Sequence, residues 1–539
     1  MKYQCTFCDI SSKDKLDSKF AECREKKHQI VPMLETAEMK KSLKTTNTTK
    51  PIRKIKGRIE NYYVESILVD GKPHFLCCSI SDSSLTLRQN VETEDMVYQP
   101  IDASQCGYLP YSFTSSEITE LMTEKMDREQ LLDGIKFETD RFISLPDIGR
   151  HLILGDILLT YCQEWINTLH YPFFVGETES GKSSALHLVK WLGYRCMLGE
   201  DIPQADVYNF LGSDEEGCGT IAEDEAQELW RNSEKIRTYK SSYSKGSVKA
   251  RIIGVDSLGK HQIFYKTFCP KWFAGEILPQ DKGFLERLAI VHMAEGRPQS
   301  NIKRLTNEEK ERLAKLRNRL LIWKIQNIGV GIERIESGLI QRDQELWEDY
   351  LSTVQGTKYF EGCKNVVAFY VKQRHDAIQN SLEAKIFACV IDKLDENLEV
   401  QFHELWSNII TQLSGHVDKN TFYPEDYTTK ISHHTLSKML EEKFQAKRKE
   451  SRTSSEKITS YLFKRGMLDT LNKKYGIKLP LDHSLYVGTH GTPDTLPSEP
   501  SVPSEPSSPS SFFDNYEQNE TKNGESSDKP NVSSIDGFA

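Results

Sequence analysis

One eight-residue segment constrains this chain more than any other. Gly176-Glu177-Thr178-Glu179-Ser180-Gly181-Lys182-Ser183 fits G-x-x-x-x-G-K-[ST] at every fixed position. The apolar run Phe173-Phe174-Val175 leads straight into it, and Ser183 to Leu192 continues with helical character. Strand, glycine loop and helix form the context in which that spacing makes a phosphate cradle. Glycines let backbone N–H groups turn inward around an anion. The helix that follows points its positive end at the same anion. The spacing therefore assigns nucleotide binding to Gly176 through Ser183, with Ser184 opening the helix behind them. Lys182 is expected to reach the β- and γ-phosphates of ATP, and Ser183 to hold Mg2+. The alternative is a chance match on a turn before a helix, and the flanking strand and amphipathic helix argue against it.

Such a loop needs an acid at the end of a nearby strand. Gly219-Thr220-Ile221-Ala222-Glu223-Asp224-Glu225-Ala226 offers one. Asp224 is expected to orient the Mg2+ shell, and Glu225 to polarise the attacking water as general base. Glu223 interrupts the apolar run, and Asp214, Glu215 and Glu216 lie close by, so a surface acidic cluster explains the same residues. The separation from Lys182 to Asp224 leaves room for a helix and a second strand. Further on, Gly283 to Val291 places Arg287 at a helix end, just before Leu288-Ala289-Ile290-Val291. In oligomeric ATPases such an arginine reaches a neighbour's γ-phosphate. An intramolecular salt bridge is the plainer alternative.

Two stretches carry cations. Arg237 to Arg251 holds five Lys/Arg and two tyrosines, Tyr239 and Tyr243, without an acid. That composition suits a polynucleotide, with cations for phosphates and rings for base stacking; a solvated loop explains it too. Met39 to Arg58 holds eight Lys/Arg and no Asp or Glu, which favours phosphate backbones, acidic surfaces or plain solvation. The segment Phe264 to Glu276 reads as strands at the far side of the core.

These pieces together resemble a known family. From about Phe142 to Met293 the chain is similar to the P-loop (AAA+/helicase-like) ATPases of archaeal, plasmid and phage replication modules. The resemblance rests on Leu145-Pro146-Asp147, Phe173–Ser184, Asp224-Glu225-Ala226, Tyr239–Arg251, Thr267-Phe268-Cys269-Pro270-Lys271 with Ala274-Gly275, and Leu285-Glu286-Arg287. Cys269 stands where glycine is expected, and Glu223 where an aliphatic residue is. The resemblance covers under a third of the chain. It implies ATP hydrolysis, a homo-oligomeric ring in which Arg287 serves the next subunit, and a nucleic-acid partner, DNA rather than RNA.

Outside the core, Cys5-x2-Cys8 is followed by Cys23-x4-His28, with Tyr3 and Phe20 at apolar positions. This resembles a CCCH-type variant of the ββα zinc finger. Four ligands at that spacing suit tetrahedral Zn2+, which would fold a unit too small for its own core. Free surface thiols are the alternative. Near the other end, Leu382–Leu394, Phe402–Leu413 and Ser432–Lys447 read as helices, the third carrying Lys438, Lys443 and Lys447 ahead of Arg448 and Lys449. The set resembles a winged helix whose last helix enters a major groove; a three-helix bundle with a solvated face is the alternative.

The expected architecture is α/β: a P-loop NTPase core with a small N-terminal zinc finger, a small β-rich region and a C-terminal helical, winged-helix-like domain. Its expected boundaries are a zinc-finger-like 1–30, a basic linker 31–58, a β-rich 59–115, an ATPase core with preceding helices 116–300, a helical 301–378, a winged-helix-like 379–485 and a disordered acidic tail 491–539. That tail carries nine acidic residues against two lysines, which accounts for most of the net charge of −9. No run of 18 uncharged apolar residues is present, so no membrane partner is expected and the location expected is cytoplasmic. The functional expectation is an ATP-hydrolysing, DNA-associated motor or replication ATPase. A nucleotide-switched DNA-binding regulator and an ATPase acting on a protein partner are the rivals.

Overall fold

Two strands with continuous buried runs and a two-residue turn build the first part of the molecule. Tyr62–Val69 and Lys72–Ser79 pair antiparallel around Asp70-Gly71. Both turn residues have positive φ, 48° and 73°, as the mirror-image hairpin turn requires. The structure, a computed structural model, describes residues 51–101, 111–212, 215, 217–226, 229, 233–256, 259–427, 429–452 and 457–477, with the short strands Tyr3–Cys5, Ser11–Ser12 and Ile30–Pro32. Contacts divide the chain into units 1–122 and 123–539. In the first unit Lys56–Ile59 and Leu85–Arg88 extend the hairpin, and Ser112–Phe113 pairs in parallel with Tyr62–Val69. Ile59, Val64, Phe75, Cys77 and Val91 form its buried core.

The second unit opens on α1 (Arg128–Phe142) and α2 (Asp147–Tyr161). A separate helix, Ser115–Thr123, comes before α1, and Asp127 caps α1 by accepting from Glu129 N at 3.1 Å. The apolar helix α2 ends at Tyr161. Beyond it, buried His170 lies 3.0 Å from Asp156 of α2 and stacks on Trp347 with ring centroids 3.9 Å apart, which fixes the entry to the sheet.

The core is a five-stranded parallel sheet. Its strands are β1 (Tyr171–Val175), β2 (Cys196–Glu200), β3 (Thr220–Asp224), β6 (Lys271–Gly275) and β7 (Leu288–His292), in spatial order β2-β3-β6-β1-β7. The helix α3 (Lys182–Leu192) follows β1 and packs on β2, β3 and β6, while α4 (Gln204–Leu211) and α5 (Ser233–Ser241) precede and follow β3. Between α5 and β6 a two-stranded antiparallel ribbon, β4 (Val248–Asp256) and β5 (Gly259–Lys266), stands apart from this sheet. The short α6 (Lys282–Leu285) leads to Arg287 and β7. The strand expected at the far side of the core, β6, is instead its middle strand, wedged between β3 and β1. Every residue of β6 is buried, as a strand flanked on both sides requires.

Three helices follow the sheet: α7 (Asn307–Gln326), α8 (Gln341–Val354) and α9 (Phe360–Gln379). Thr306 and Glu309 cap α7 reciprocally, each side chain satisfying the other's backbone N–H. The last part carries α10 (Leu382–Lys393), β8 (Glu399–Gln401), α11 (Phe402–Gln412), a small sheet of β9 (Gly415–Asp418), β10 (Thr421–Pro424) and β11 (Ile431–Ser432), then α12 (His433–Lys438). The helix expected over Ser432–Lys447 is shorter. After α12 it widens into a π turn, Met439–Lys443, and Lys447, Arg448 and Lys449 lie on β12 (Lys447–Arg452). That strand pairs with β13 (Lys457–Leu462), which also pairs with β8, and α13 (Arg465–Tyr475) follows. The chain is thus an α/β protein with a parallel five-stranded core, a β-rich N-terminal region and a helical C-terminal segment. Among the described residues no helix is long and apolar enough to cross a membrane.

Candidate nucleotide site

Parallel registers bring five strand ends to one edge of the sheet. Val175 pairs with Gly275 and with His292, and Glu200 pairs with Asp224, so the residues after each strand share one end. Ligands of open parallel sheets bind at that end. Gly176 follows β1 there. A Cβ on Gly176 would lie 2.5 Å from the Met293 carbonyl oxygen, so nothing but glycine fits. Gly181 has φ +90° and caps α3, and Glu179 also takes a positive φ, 67°. The chain thus doubles back on itself within Gly176–Gly181 and releases α3 with its N-terminus at the loop. Ser180 Oγ is buried in this loop without a hydrogen-bond partner. Cradle, helix terminus and orphaned hydroxyl all fit a phosphate group.

Lys182 turns back over the loop. Its Nζ donates to the carbonyls of Gly176 at 2.6 Å and Glu177 at 2.8 Å. Ser183 and Ser184 occupy the first turn of α3. Thr178 Oγ1 donates to Glu276 Oε1 at 2.8 Å, and Glu276 follows the end of β6. Glu276 lies outside the sequence motif, and its place is visible only once β6 is known to sit beside β1.

Asp224 ends β3 and Glu225 follows it at φ +53°, a left-handed conformation that a non-glycine residue holds at a cost. Asp224 Oδ1 accepts from Glu225 N at 3.1 Å. With β6 between them, β3 and β1 run about 10 Å apart, so the end of β3 lies one strand away from the start of the loop. Glu225 is exposed and Asp224 half-buried.

Glu223 proves to be an interior residue with its own partners. It is 1% exposed; Lys235 of α5, equally buried, pairs with its Oε1, and Tyr239 donates to its Oε2 at 2.9 Å. Burial pushes the Glu223 carboxyl up, and Lys235 opposes that shift. Alternation along β3 thus sends Glu223 to the covered face and leaves Asp224 at the strand end. Glu223→Ala should destabilise the protein by about 3 kcal/mol in chemical denaturation, because Lys235 loses its buried partner. Glu223→Leu combined with Lys235→Met should recover most of that loss. A single-variant effect under about 0.5 kcal/mol, the scale of an ordinary surface change, would remove this structural role.

Of the five cations in Arg237–Arg251 three are engaged within the fold, as are both tyrosines, while Arg237 and Arg251 are exposed. Tyr239 is fully buried against Glu223. Lys240 pairs with Asp281 at 3.0 Å, Lys249 with Glu234 at 3.3 Å, and Lys245 donates to the Glu164 carbonyl at 2.7 Å. Tyr243 is engaged by two guanidiniums: Arg287 Cζ lies 4.6 Å and Arg342 Cζ 4.4 Å from its ring centroid.

Arg287 does not join the loop of its own chain. It precedes β7, and its carbonyl accepts from Tyr171 N, the first residue of β1, at 2.9 Å. It therefore sits at the N-terminal ends of the strands, about 16 Å of strand away from the loop. Cys5 ends the strand Tyr3–Cys5, while Cys8, Cys23 and His28 lie outside the described residues. Among the described residues no group of three or more metal-ligating side chains gathers.

No family model matches the chain, and no curated protein matches it. Among solved structures it is similar to the C-terminal region of NrS-1 in its A-form apo structure, with TM-score 0.30 and 10% identity over 74% of this chain and 97% of that one. It is similar also to the JCV helicase, with TM-score 0.23 and 13% identity over 46% of this chain and 64% of that one.

Proposed function

We propose that this chain is an ATP-hydrolysing motor that works on DNA as a homo-oligomeric ring, of the AAA+/helicase-like kind. The observation that carries this reading is the division of the site between two ends of one sheet. The loop Gly176–Ser183 and the acids Asp224 and Glu225 stand at the C-terminal end, and Arg287 stands at the other. A bound nucleotide with Mg2+ supplies the phosphoanhydride to be split and a divalent charge beside it. The chain's own residues do the rest. Backbone N–H groups of the loop and the N-terminus of α3 hold the phosphates, Lys182 leaves its loop carbonyls for the phosphate oxygens, Ser183 and Asp224 hold the ion, and Glu225 takes a proton from the attacking water. Arg287 offers its charge to the site of an adjacent copy.

The nucleic-acid contacts fall elsewhere than in Arg237–Lys249. On the ribbon, Arg251 and Phe264 are exposed, Phe264 by 54%, and supply a cation and a ring for a single strand. In the C-terminal segment, α10, α11 and α12 with the β8-β13-β12 sheet have the make-up of a winged helix. Its cations lie on the wing: Lys447, Arg448, Lys449 and Arg452 are exposed along β12. Their ion pairs, Arg448 with Glu450 and Lys449 with Glu399, are solvent-screened surface pairs that exchange readily for phosphates. The test is the ATPase rate alone and with single- or double-stranded DNA. Stimulation supports the motor. Nucleotide-dependent DNA affinity without movement along the strand points to a switched regulator, and indifference to DNA points to a protein partner.

The N-terminal segment is proposed to hold one Zn2+ through Cys5, Cys8, Cys23 and His28. Purified protein should contain one zinc per chain and lose it in Cys8→Ser; metal analysis that finds none in the native protein removes the finger.

A further inference from the structure

The edge of the sheet opposite the loop carries more than Arg287. Its guanidinium has no carboxylate partner among the described residues: Nη1 donates to the Gly283 carbonyl, and Nε is buried without a hydrogen-bond partner. Beside it stands Arg342, from the first turn of α8, packed on the same Tyr243 ring. Placing two like charges on one ring opposes folding, and burial together with Arg342 holds the Arg287 guanidinium below its usual value. One carboxylate partly offsets them. Glu345 accepts from Arg342 Nη1 at 2.7 Å and from the Tyr243 hydroxyl at 3.4 Å. Glu286 and Asp281 also act on Arg287 through charge, but among the described residues neither forms an ion pair with it, and Asp281 is paired with Lys240 instead.

The platform beneath them is tied down on every side. The Tyr243 carbonyl accepts from Leu169 N at 3.0 Å, and Asp349 of α8 accepts from the N–H groups of Asn167 and Thr168 at 2.7 and 3.1 Å. The start of α8 is anchored by Asp343, buried and held by Arg374 and His375 of α9 at 2.7 and 3.0 Å. A rigid scaffold that presents two close guanidiniums, one of them without an ion-paired carboxylate among the described residues, is what recognition of a polyanion needs.

We infer that Arg287 and Arg342, positioned by Tyr243, form one two-arginine clamp for the terminal phosphates of the nucleotide held in the loop of an adjacent copy. This rests on the ring reading proposed above. Arg342 is then a second catalytic cation, and Tyr243 a positioning residue whose ring keeps both guanidiniums apart and aligned.

The test compares full-length variants mixed in pairs, with ATP turnover as one readout and the oligomer formed with ADP and aluminium fluoride, measured by sedimentation, as the other. Arg342→Ala should keep ADP affinity, lose at least tenfold in turnover and weaken the aluminium-fluoride oligomer. Mixed with Glu225→Gln it should regain activity. Mixed with Arg287→Ala it should regain none, since every interface then lacks one of the two arginines. Tyr243→Leu should reproduce both defects, and Tyr243→Phe should be close to wild type. If Arg342→Ala turns over and assembles normally, or is rescued by Arg287→Ala, the clamp is wrong while the ring stands. If Arg287→Ala and Glu225→Gln also fail to restore each other in mixed oligomers, it is the ring reading that falls.

Discussion

Lys182→Ala should abolish tight nucleotide binding, and Glu225→Gln should bind nucleotide and not turn it over. The first result follows from charge. In the structure the Lys182 ammonium rests on the carbonyls of Gly176 and Glu177. On binding it exchanges those neutral acceptors for phosphate oxygens, and hydrogen bonds between charged groups contribute about 1.5–3 kcal/mol each. Losing two of them weakens affinity roughly a hundredfold or more, at about 1.4 kcal/mol per factor of ten. The loop itself should survive, because its path is set by Gly176 and Gly181 and not by the lysine. Glu225→Gln keeps size and the backbone contact to Asp224 but cannot accept the proton. A positioned general base contributes about 10²–10⁴-fold, which is the loss expected in phosphate release. Calorimetry with ATP and a phosphate-release assay read the two effects separately. Normal turnover in both variants would end the assignment of this loop.

Sequence and structure agree best where geometry is local. The glycine loop could be read because each fixed position has a steric or electrostatic reason that acts within a few residues: Gly176 against Met293, Gly181 at φ +90°, α3 starting at Lys182. The turn at Asp70-Gly71 and the cap at Thr306 are likewise set by contacts within a few residues. What could not be read depends on residues far apart in sequence. Glu223 interrupts the apolar run of its strand, and its partners, Lys235 and Tyr239, lie on a helix whose packing no local pattern states. By composition Tyr239 and Tyr243 read as stacking rings, whereas the fold packs one against Glu223 and the other against two arginines. The order β2-β3-β6-β1-β7 places β6 at the centre although it comes fourth in the chain, and only that order puts Glu276 against Thr178. In the C-terminal segment the run Lys447-Arg448-Lys449 has no apolar periodicity of its own. It becomes a strand because β13 and β8 supply the sheet beside it.

Arg287→Ala should keep nucleotide affinity and lose turnover by on the order of a thousandfold or more, the contribution of an arginine supplied to transition-state charge from a second subunit. The geometry separates this from an effect within the chain. Arg287 precedes β7 at the N-terminal edge of the sheet, while the loop follows β1 at the opposite edge, and the five residues of β7 span about 16 Å between them. No rotamer of Arg287 bridges that span, so any loss of chemistry must come either from the fold or from a neighbour. Circular dichroism and the denaturation midpoint check the fold. Mixing decides the rest. Arg287→Ala and Glu225→Gln should each be nearly inactive alone, yet a mixed oligomer contains interfaces with an intact Glu225 on one subunit and an intact Arg287 on the next. Part of the turnover should return on mixing, rising and falling with the ratio of the two variants. If mixed oligomers form and no activity returns, Arg287 does not serve an adjacent site. If no oligomer forms with ATP and DNA present, the ring goes with it, and a monomeric nucleotide switch becomes the better account of the loop.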